Sequence, residues 1–499
     1  MKKSYTLLLG LIVFMTVSCR QNRMKNNEKA LSDQIVTEEK QQEQKNAQRA
    51  QHEKQLADSI AKLPQGFRFK EKRGINSDYP PQKINIINNR KPKGIIKTSG
   101  LFRKIRYIPL ETVPDSIFSH GAPMEFFVGE KHIYGFSRLG GIAQFDTAGH
   151  FKGYVCRNQV NCIRYPGGRY GMDLNNNANL KWVWQAYYTN GKLCYKYLDR
   201  KHKKIFYYQF DDTTDCTTAL ALLQDETSRQ VPEPGGEIIR QVTSDYASEA
   251  TTLYPLGSGM FALSQNRKPV RQQLPLITIV SKAGDTLCTF SDCDPIRHFS
   301  HAVYRNVESY QTYYLNHVCH FKPAYNDTIF QIIPPDNLIA KYILDFGVQG
   351  INESNKALAP NIPLDDRFIL DNVLETQKFI FITYTKNYAT PNTAKNKTLW
   401  YSRLIYDKTN KTIFPVYSDR EPQMTTGSEI KMQTPSAPEL NIENDLDNMP
   451  FIWPQGITAS GNAYVVTERE LPEPEKVNNG KEMPDGRVAK GYRIMIYEE

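Results

Sequence analysis

Cysteine is scarce in this chain, with eight among 499 residues. Spread so thinly, they exclude a disulfide-dense small scaffold, and none stands in the CxxC spacing of a zinc site. Beyond the first twenty residues no stretch approaches eighteen consecutive apolar residues, so no later helix is long and apolar enough to span a bilayer. The net charge is +10, but Lys and Arg are interspersed with Asp and Glu. No basic block with interleaved aromatics occurs, and no nucleic-acid partner is expected. A G-x-S-x-G elbow, a P-loop and a GxGxxG opening a helix are all missing. Helical periodicity is sparse after residue 100, which argues against an α/β fold.

The N-terminus carries the strongest local signal. Met1-Lys2-Lys3 is a short basic start, followed by an apolar run from Leu7 to Met15. That run has the length of a signal-peptide core and is too short for a membrane span. It ends in Thr16-Val17-Ser18-Cys19, an arrangement that resembles a bacterial lipobox, with residues 1–18 removed and Cys19 acylated. Two or more acyl chains, at about 0.8 kcal/mol per buried methylene, give stable anchoring. Arg20 follows Cys19 in place of the Asp associated with inner-membrane retention, and Gln21–Lys25 lacks an acidic surface-export cluster. The expectation is an outer-membrane lipoprotein facing the periplasm.

Residues 19–63 then read as a lipid anchor and a polar tether, helical or disordered, because the segment 37–55 is polar on every face. As a helix, about 40 residues would reach roughly 60 Å. Without sustained apolar heptads a coiled coil is the weaker reading. Pro64 ends the segment, and residues 64–100, rich in Pro, Lys and Asn, read as a linker.

From residue 101 to 499 the periodicity is that of strands, and one motif recurs: an apolar strand, Asp or Ser, a short polar turn, then a second apolar strand. Copies occur at Phe145–Phe151, Leu198–Ile205, Val280–Leu287 and Tyr406–Ile413. The Asp or Ser side chain can cap the amides of its own turn, so each copy is expected to be a β-hairpin tip. One four-stranded unit reads almost completely: Met124–Val128, His132–Phe136, Ile142–Phe145 and Phe151–Val155. Similar groups fall near Leu180–Phe210, Met260–Phe290, Val318–Phe346 and Phe368–Val416, with a last one from Ala463 through Arg493–Tyr497. The sequence therefore predicts an all-β fold, a six-bladed β-propeller preceded by the lipoprotein signal and tether.

Three segments carry a resemblance. Tyr107–Thr112 followed by a strand pair and Phe145-Asp146-x-x-Gly149, then Phe321–Phe330 with Tyr342–Gly347, then Asn444–Pro454, stand in the order of the six-bladed β-propeller lipoproteins abundant in Bacteroidetes. Asn448-Met449 occupies the place where that family often has Gly-Gly. The resemblance spans roughly residues 100–499 and implies a propeller fold and export, not an activity.

Candidate sites are few. Asn444, Asp445 and Asp447, with Trp453 nearby, offer hard oxygen ligands that suit Ca²⁺ or a polar ligand. The stretch fails as an EF-hand, since Met449 falls on a ligand position and the Gly is missing. Ordinary turns at Asp and Asn next to Pro are the simpler explanation, and no cofactor is otherwise expected. His298, His301, His317 and His320 form two HxxH pairs. If Leu315–Phe321 is one strand, His317 and His320 point to opposite faces and cannot share a metal. Asp292, Asp294, Arg297, Glu308 and Tyr310 are candidates to line a channel. Trp182 and Trp184, two apart on a strand, share a face that suits a sugar or, more simply, core packing. Of the seven remaining cysteines, Cys156/Cys162 and Cys288/Cys293 are close enough to pair across a loop, and most are expected to be small buried residues.

The function expected from these features is a membrane-anchored binding or scaffold module, with a glycan, a peptide or another envelope protein as partner. The alternative is a propeller lyase or glycan hydrolase. An enzyme needs ionisable groups converging in the channel; a channel lined by Ser, Thr and aromatics speaks for binding.

Overall fold

The computed structural model describes residues 72–73, 75–89, 94–113, 124–158, 162–164, 170–172, 180–216, 234–243, 251–265, 276–290, 311–323, 326–350, 368–386, 400–416, 440–447, 449–469 and 491–499. All belong to the unit Arg68–Glu499. Cys19, the signal and the tether lie outside the described residues, as do His298, His301, Asp292, Asp294, Arg297, Glu308 and Tyr310.

The unit is a six-bladed β-propeller, with no α-helix among the described residues. Blade 1 runs Met124–Val128, His132–Ser137, Gly141–Asp146 and Phe151–Arg157. Blade 2 is Lys181–Thr189, Lys192–Asp199, Lys204–Asp211 and Glu237–Thr243. Blade 3 is Thr251–Gly257, Met260–Gln265, Ile277–Ser281 and Thr286–Phe290. Blade 4 is Gln311–Leu315, Val318–Lys322, Thr328–Ile333 and Asn337–Asp345. Blade 5 is Phe368–Glu375, Phe379–Lys386, Trp400–Asp407 and Thr412–Val416. Within each blade the four strands pair antiparallel in sequence order, from the inner strand outward.

Blade 6 differs. Gly456–Ile457, Ala463–Arg469 and Gly491–Glu498 supply three strands, and the fourth, outermost strand is Lys104–Pro109 from the start of the domain. It pairs antiparallel with the last strand, Ile108 opposite Ile494 and Arg106 opposite Ile496. The two ends of the domain thus close one sheet, which removes the open edges that an unclosed array would expose.

The core is divided among blade interfaces. Along Phe379–Lys386, Phe379 and Phe381 join a cluster with Val465, Met495 and Tyr497 of blade 6. Ile380 and Ile382, on the opposite face, join Ile329, Tyr342 and Leu344 of blade 4. A blade has neighbours on both faces, so its middle strands read as unbroken apolar runs rather than alternating ones.

The hairpin motif behaves as its chemistry requires. Asp146 accepts from the amides of Ala148 and His150, both at 2.9 Å. Asp407 accepts from those of Thr409 (2.8 Å) and Asn410 (2.9 Å). Asp199 does so from His202 and Ser281 from Asp285, both at 3.1 Å.

The stretch read as a linker is in large part structure. Lys72–Arg73 adds in parallel to the outer strand of blade 3, and Gln82–Asn85 to that of blade 4. The Gln82 amide donates to Tyr406 of blade 5 at 2.5 Å. Ile96–Lys97 pairs in parallel with Ile442–Glu443, and Lys104–Pro109 follows into blade 6. The segment is a belt laid along the outer edges of successive blades, with Ile84 and Ile86 fully buried under it. Full burial of such a side chain stabilises by about 1.5–3 kcal/mol. Composition hid this, because a strand that adds to an existing edge needs only a few residues and an occasional apolar anchor.

Candidate binding site at the turn end of the channel

The inner strands are Met124–Val128, Lys181–Thr189, Thr251–Gly257, Gln311–Leu315, Phe368–Glu375 and Gly456–Ile457. Among the described strands each pairs along one side only, apart from a single bridge from Phe368 to Gly350, so the carbonyls on its other edge need partners. Tyrosines from adjacent blades supply them. Tyr187 of blade 2 donates to Leu253 O of blade 3, and Tyr314 of blade 4 donates to Pro255 O at 3.0 Å. Tyr464 of blade 6 donates to Phe126 O of blade 1. Pro255 is tolerated because this strand is an edge.

Where each inner strand turns into the next, blades 2, 3 and 4 use two-residue turns: Asn190-Gly191, Ser258-Gly259 and Asn316-His317. Both residues of each turn have positive φ (51° and 69°, 50° and 71°, 51° and 64°), the type I′ signature that suits a twisted hairpin. Gly fills the second position in blades 2 and 3. Blade 4 has His317 there, a conformation that costs a side-chain-bearing residue roughly 1–2 kcal/mol.

The turns of blades 2, 4 and 5 touch one another. His317 Nδ1 lies 3.1 Å from Asn190 Oδ1, joining blade 4 to blade 2. Asn316 exchanges side-chain hydrogen bonds with Gln377 of the blade 5 turn, at 2.6 and 3.3 Å. Ala459 of blade 6 donates its amide to Val128 O of blade 1 at 2.9 Å. Between them lies a pocket of about 90 Å³, partly open to solvent. Blade 1 lines it with Phe127, Val128 and Glu130, blade 2 with Tyr188, Thr189 and Asn190, blade 4 with Tyr314, Asn316 and His317, and blade 6 with Ile457 and Thr458. Thr189 is buried, at 2% exposed, and its hydroxyl has no hydrogen-bond partner among the described residues.

Two buried acids brace this end. Asp212 accepts from the amides of Glu130 and Lys131, both at 2.8 Å, and from the hydroxyls of Tyr134 (2.7 Å) and Tyr188 (2.8 Å). It fixes the blade 1 turn and the ring of Tyr188 together. Burial first, and then Asp212, raises the Tyr188 hydroxyl far above its ordinary range, so it stays a neutral donor. His132, beside it, bonds Asp212 O at 2.5 Å and Asp215 at 2.7 Å.

Glu375 is fully buried between blades 4 and 5. It accepts from Lys341 Nζ (3.0 Å), Lys408 Nζ (2.9 Å), Tyr313 (2.8 Å) and Tyr342 (3.1 Å). Burial alone would raise its carboxyl, but Lys341 foremost, with His320 and Lys408, brings it down to about 2. Among the described residues no group of three or more His, Cys, Asp or Glu is placed to hold a metal ion.

The sequence-derived candidates fall elsewhere. Asn444, Asp445, Asp447 and Trp453 lie near the belt and the outermost strand of blade 6. Asp445 accepts from Ser99 N (2.8 Å) and Ser99 Oγ (2.6 Å) of the belt. Asp447 accepts from Tyr107 of the outer strand at 2.6 Å, from Asn444 Nδ2 at 2.7 Å and from Met449 N at 2.8 Å. These oxygens form a clasp that fastens the 440–453 segment to the closing strand. Trp453 is buried, edge-on to Phe381 at 5.4 Å, with the Arg403 guanidinium 5.6 Å from its ring centre.

Leu315–Phe321 is not one strand, because the Asn316-His317 turn interrupts it. His317 and His320 are nonetheless apart, one exposed in the turn ring and the other buried beside Glu375. Trp182 is core, whereas Trp184 falls at a register shift between Val183 and Gln185 and is 44% exposed. Across this bulge the two rings still meet, tilted by 54° with centres 6.1 Å apart. Of the described cysteines, Cys156, Cys194, Cys288 and Cys319 are buried, and burial pushes the Cys194 and Cys319 thiols up to about 12. The turn ring itself was missed. Its one local signal is Asn190-Gly191 between two apolar strands, a strong hairpin mark that says nothing of the blades it meets.

No curated protein matches the chain. Among solved structures, a protein described as exported from Bacteroides fragilis NCTC 9343 is similar at 7% identity and a TM-score of 0.42, over 84% of this chain and all of that one. A member of the DUF4221 family from Bacteroides vulgatus is similar at 10% identity and a TM-score of 0.37, over 79% of this chain and 96% of that one. Likenesses this distant assign no ligand. The DUF4933 family, described as a domain of unknown function, matches residues 64–473, so the chain, belt and propeller together, belongs to the DUF4933 family.

Proposed function

We propose that this protein is a lipid-anchored envelope lipoprotein, held through Cys19 at the outer membrane and facing the periplasm, whose propeller is a binding module. The surface it offers is the turn end of its channel. One observation carries the reading: the pocket there is walled mostly by aromatic, amide and hydroxyl groups from four blades, with Glu130 and His317 as its ionisable residues besides tyrosine, while the buried acids nearby are saturated by internal donors. Asp212 and Glu375 each accept at least four hydrogen bonds, which leaves them poorly suited to proton transfer.

Hydrogen exchange on the full chain, with and without a solubilised envelope extract, tests the binding reading. Slowed exchange confined to residues 188–191 and 314–318 supports it. Conversion of an extract component to new products, with no slowed exchange there, would favour an enzyme. The anchor is tested separately by Cys19→Ala, which should leave the membrane fraction.

The enzyme reading has one observation in its favour. Lys322 is fully buried, and burial brings its amine down to about 8 against the opposing pull of Asp327 and Asp371. An amine near neutrality suits nucleophilic or general-base chemistry. It sits at the far end of its strand from the Asn316-His317 turn.

A further inference from the structure

We propose that the turn-end pocket receives the acetamido group of an N-acetylated sugar, an inference that rests on the binding reading above and names its ligand class. Thr189 is the first ground. The residue lines the pocket and its hydroxyl is buried without a partner among the described residues, and buried polar groups are nearly always satisfied in a finished structure. A water, or an uncharged ligand atom admitted by a small shift of the Thr189 side chain, would satisfy it.

The surrounding chemistry narrows the choice. The hydroxyls of Tyr188 and Tyr314 are taken by Asp212 and Pro255 O, so these residues offer the pocket their rings. Phe127 and Ile457 add apolar wall, and Asn190 adds an amide. Among the described residues no Lys or Arg lines the pocket and Glu130 does, which disfavours a phosphate or carboxylate. A group with a methyl for the apolar wall and an amide for the polar one fits both. At roughly 15 Å³ per water-sized group, a pocket of about 90 Å³ takes an acetamido substituent and the ring carbons beside it, not a whole oligosaccharide.

His317 is the second, independent ground. The two sister turns place Gly where this turn places an imidazole at φ 64°, and strain retained at a pocket rim is a mark of function.

The test uses the full chain in lauryldimethylamine oxide, a detergent without a sugar, with N,N′-diacetylchitobiose as probe and cellobiose as the same rings without acetamido groups. Calorimetric titration and saturation-transfer NMR should show diacetylchitobiose binding through its acetyl methyl and cellobiose at least tenfold weaker. Thr189→Val should weaken binding at least tenfold while leaving the melting temperature equal or higher, and Thr189→Ser should restore it. Equal affinity for the two sugars, an undiminished Thr189→Val variant, or no binding of either probe overturns the assignment. If the sugars fail but envelope extract still slows exchange at the turns, as a peptide ligand would, the ligand class falls and the binding reading stands. If neither occurs, both fall.

Discussion

Lys341 donates to His320 through a bond of 2.9 Å between Nζ and Nε2, while His320 Nδ1 meets Val318 O at 3.0 Å. Only one tautomer satisfies both: Nδ1 carries the proton and Nε2 accepts, so the imidazole is neutral. Tyr313 stacks on it with ring centres 4.9 Å apart, and Glu375 and Lys408 complete its surroundings. Burial foremost, and then Lys341, lowers its pKa from 6.5 to about 4.

A folded-state pKa below the unfolded one gives stability that is complete above the unfolded value and is lost as pH falls toward the folded one. For His320 that window runs from about 6.5 to about 4, and it amounts to on the order of 3 kcal/mol at 1.36 kcal/mol per pKa unit. Urea midpoints measured between pH 7 and pH 4 should therefore decline. In His320→Gln, which keeps an acceptor for Lys341 but does not titrate, the decline across this window should be much shallower. An unchanged slope would mean that the imidazole is charged in the folded protein.

Glu375→Gln should be strongly destabilising, by about 3–5 kcal/mol, the range for breaking a buried ion pair by removing one partner. Two ammonium groups, Lys341 and Lys408, would lose their common carboxylate, and burial already lowers the Lys341 amine. A loss below 1 kcal/mol in denaturant unfolding would show that solvent reaches the cluster. The acid limb below about pH 4.5, where the native carboxylate loses its advantage, should become shallower in the same variant, with the remainder set by other lowered carboxylates such as Asp146 and Asp199.

The hairpin tips and blade 1 were legible because their causes are local: an Asp four residues from His150 caps its turn whatever lies beyond. Six blades followed from counting groups of short apolar strands, four of them marked by such tips. The closing strand was not legible, since Ile108 and Ile494 are paired across almost the whole domain and nothing near either names the other. The turn-end pocket was illegible for the same reason at higher order. Asn190, Asn316 and Thr458 are ordinary turn residues until closure brings their blades together. The Asn444–Trp453 cluster attracted notice by composition, yet its oxygens face Ser99 and Tyr107, partners more than three hundred residues away.

The belt yields a direct test of its role. A passive linker tolerates Ile84→Ala or Ile86→Ala within about 0.5 kcal/mol, as exposed sites do. Both side chains are buried in the interface of blades 4 and 5, where an Ile→Ala change costs roughly 2–5 kcal/mol. Each variant should lower the unfolding free energy by that amount in one cooperative transition. A separate early transition would mean that the belt detaches before the blades unfold.

His317→Gly should stabilise the protein. Gly adopts the left-handed region without the penalty that His317 bears at φ 64°, and the sister turns of blades 2 and 3 already use it. Two terms oppose the gain. Gly adds unfolded-state entropy of roughly 0.5–1 kcal/mol, and the contact with Asn190 is lost, worth little because His317 is exposed. The relief of strain, roughly 1–2 kcal/mol, exceeds or equals these. The melting temperature should hold or rise by a few degrees, while slowed hydrogen exchange at residues 188–191 in the presence of ligand weakens. A fall of several degrees would instead make His317 a structural bridge between blades 2 and 4, with its imidazole retained for stability.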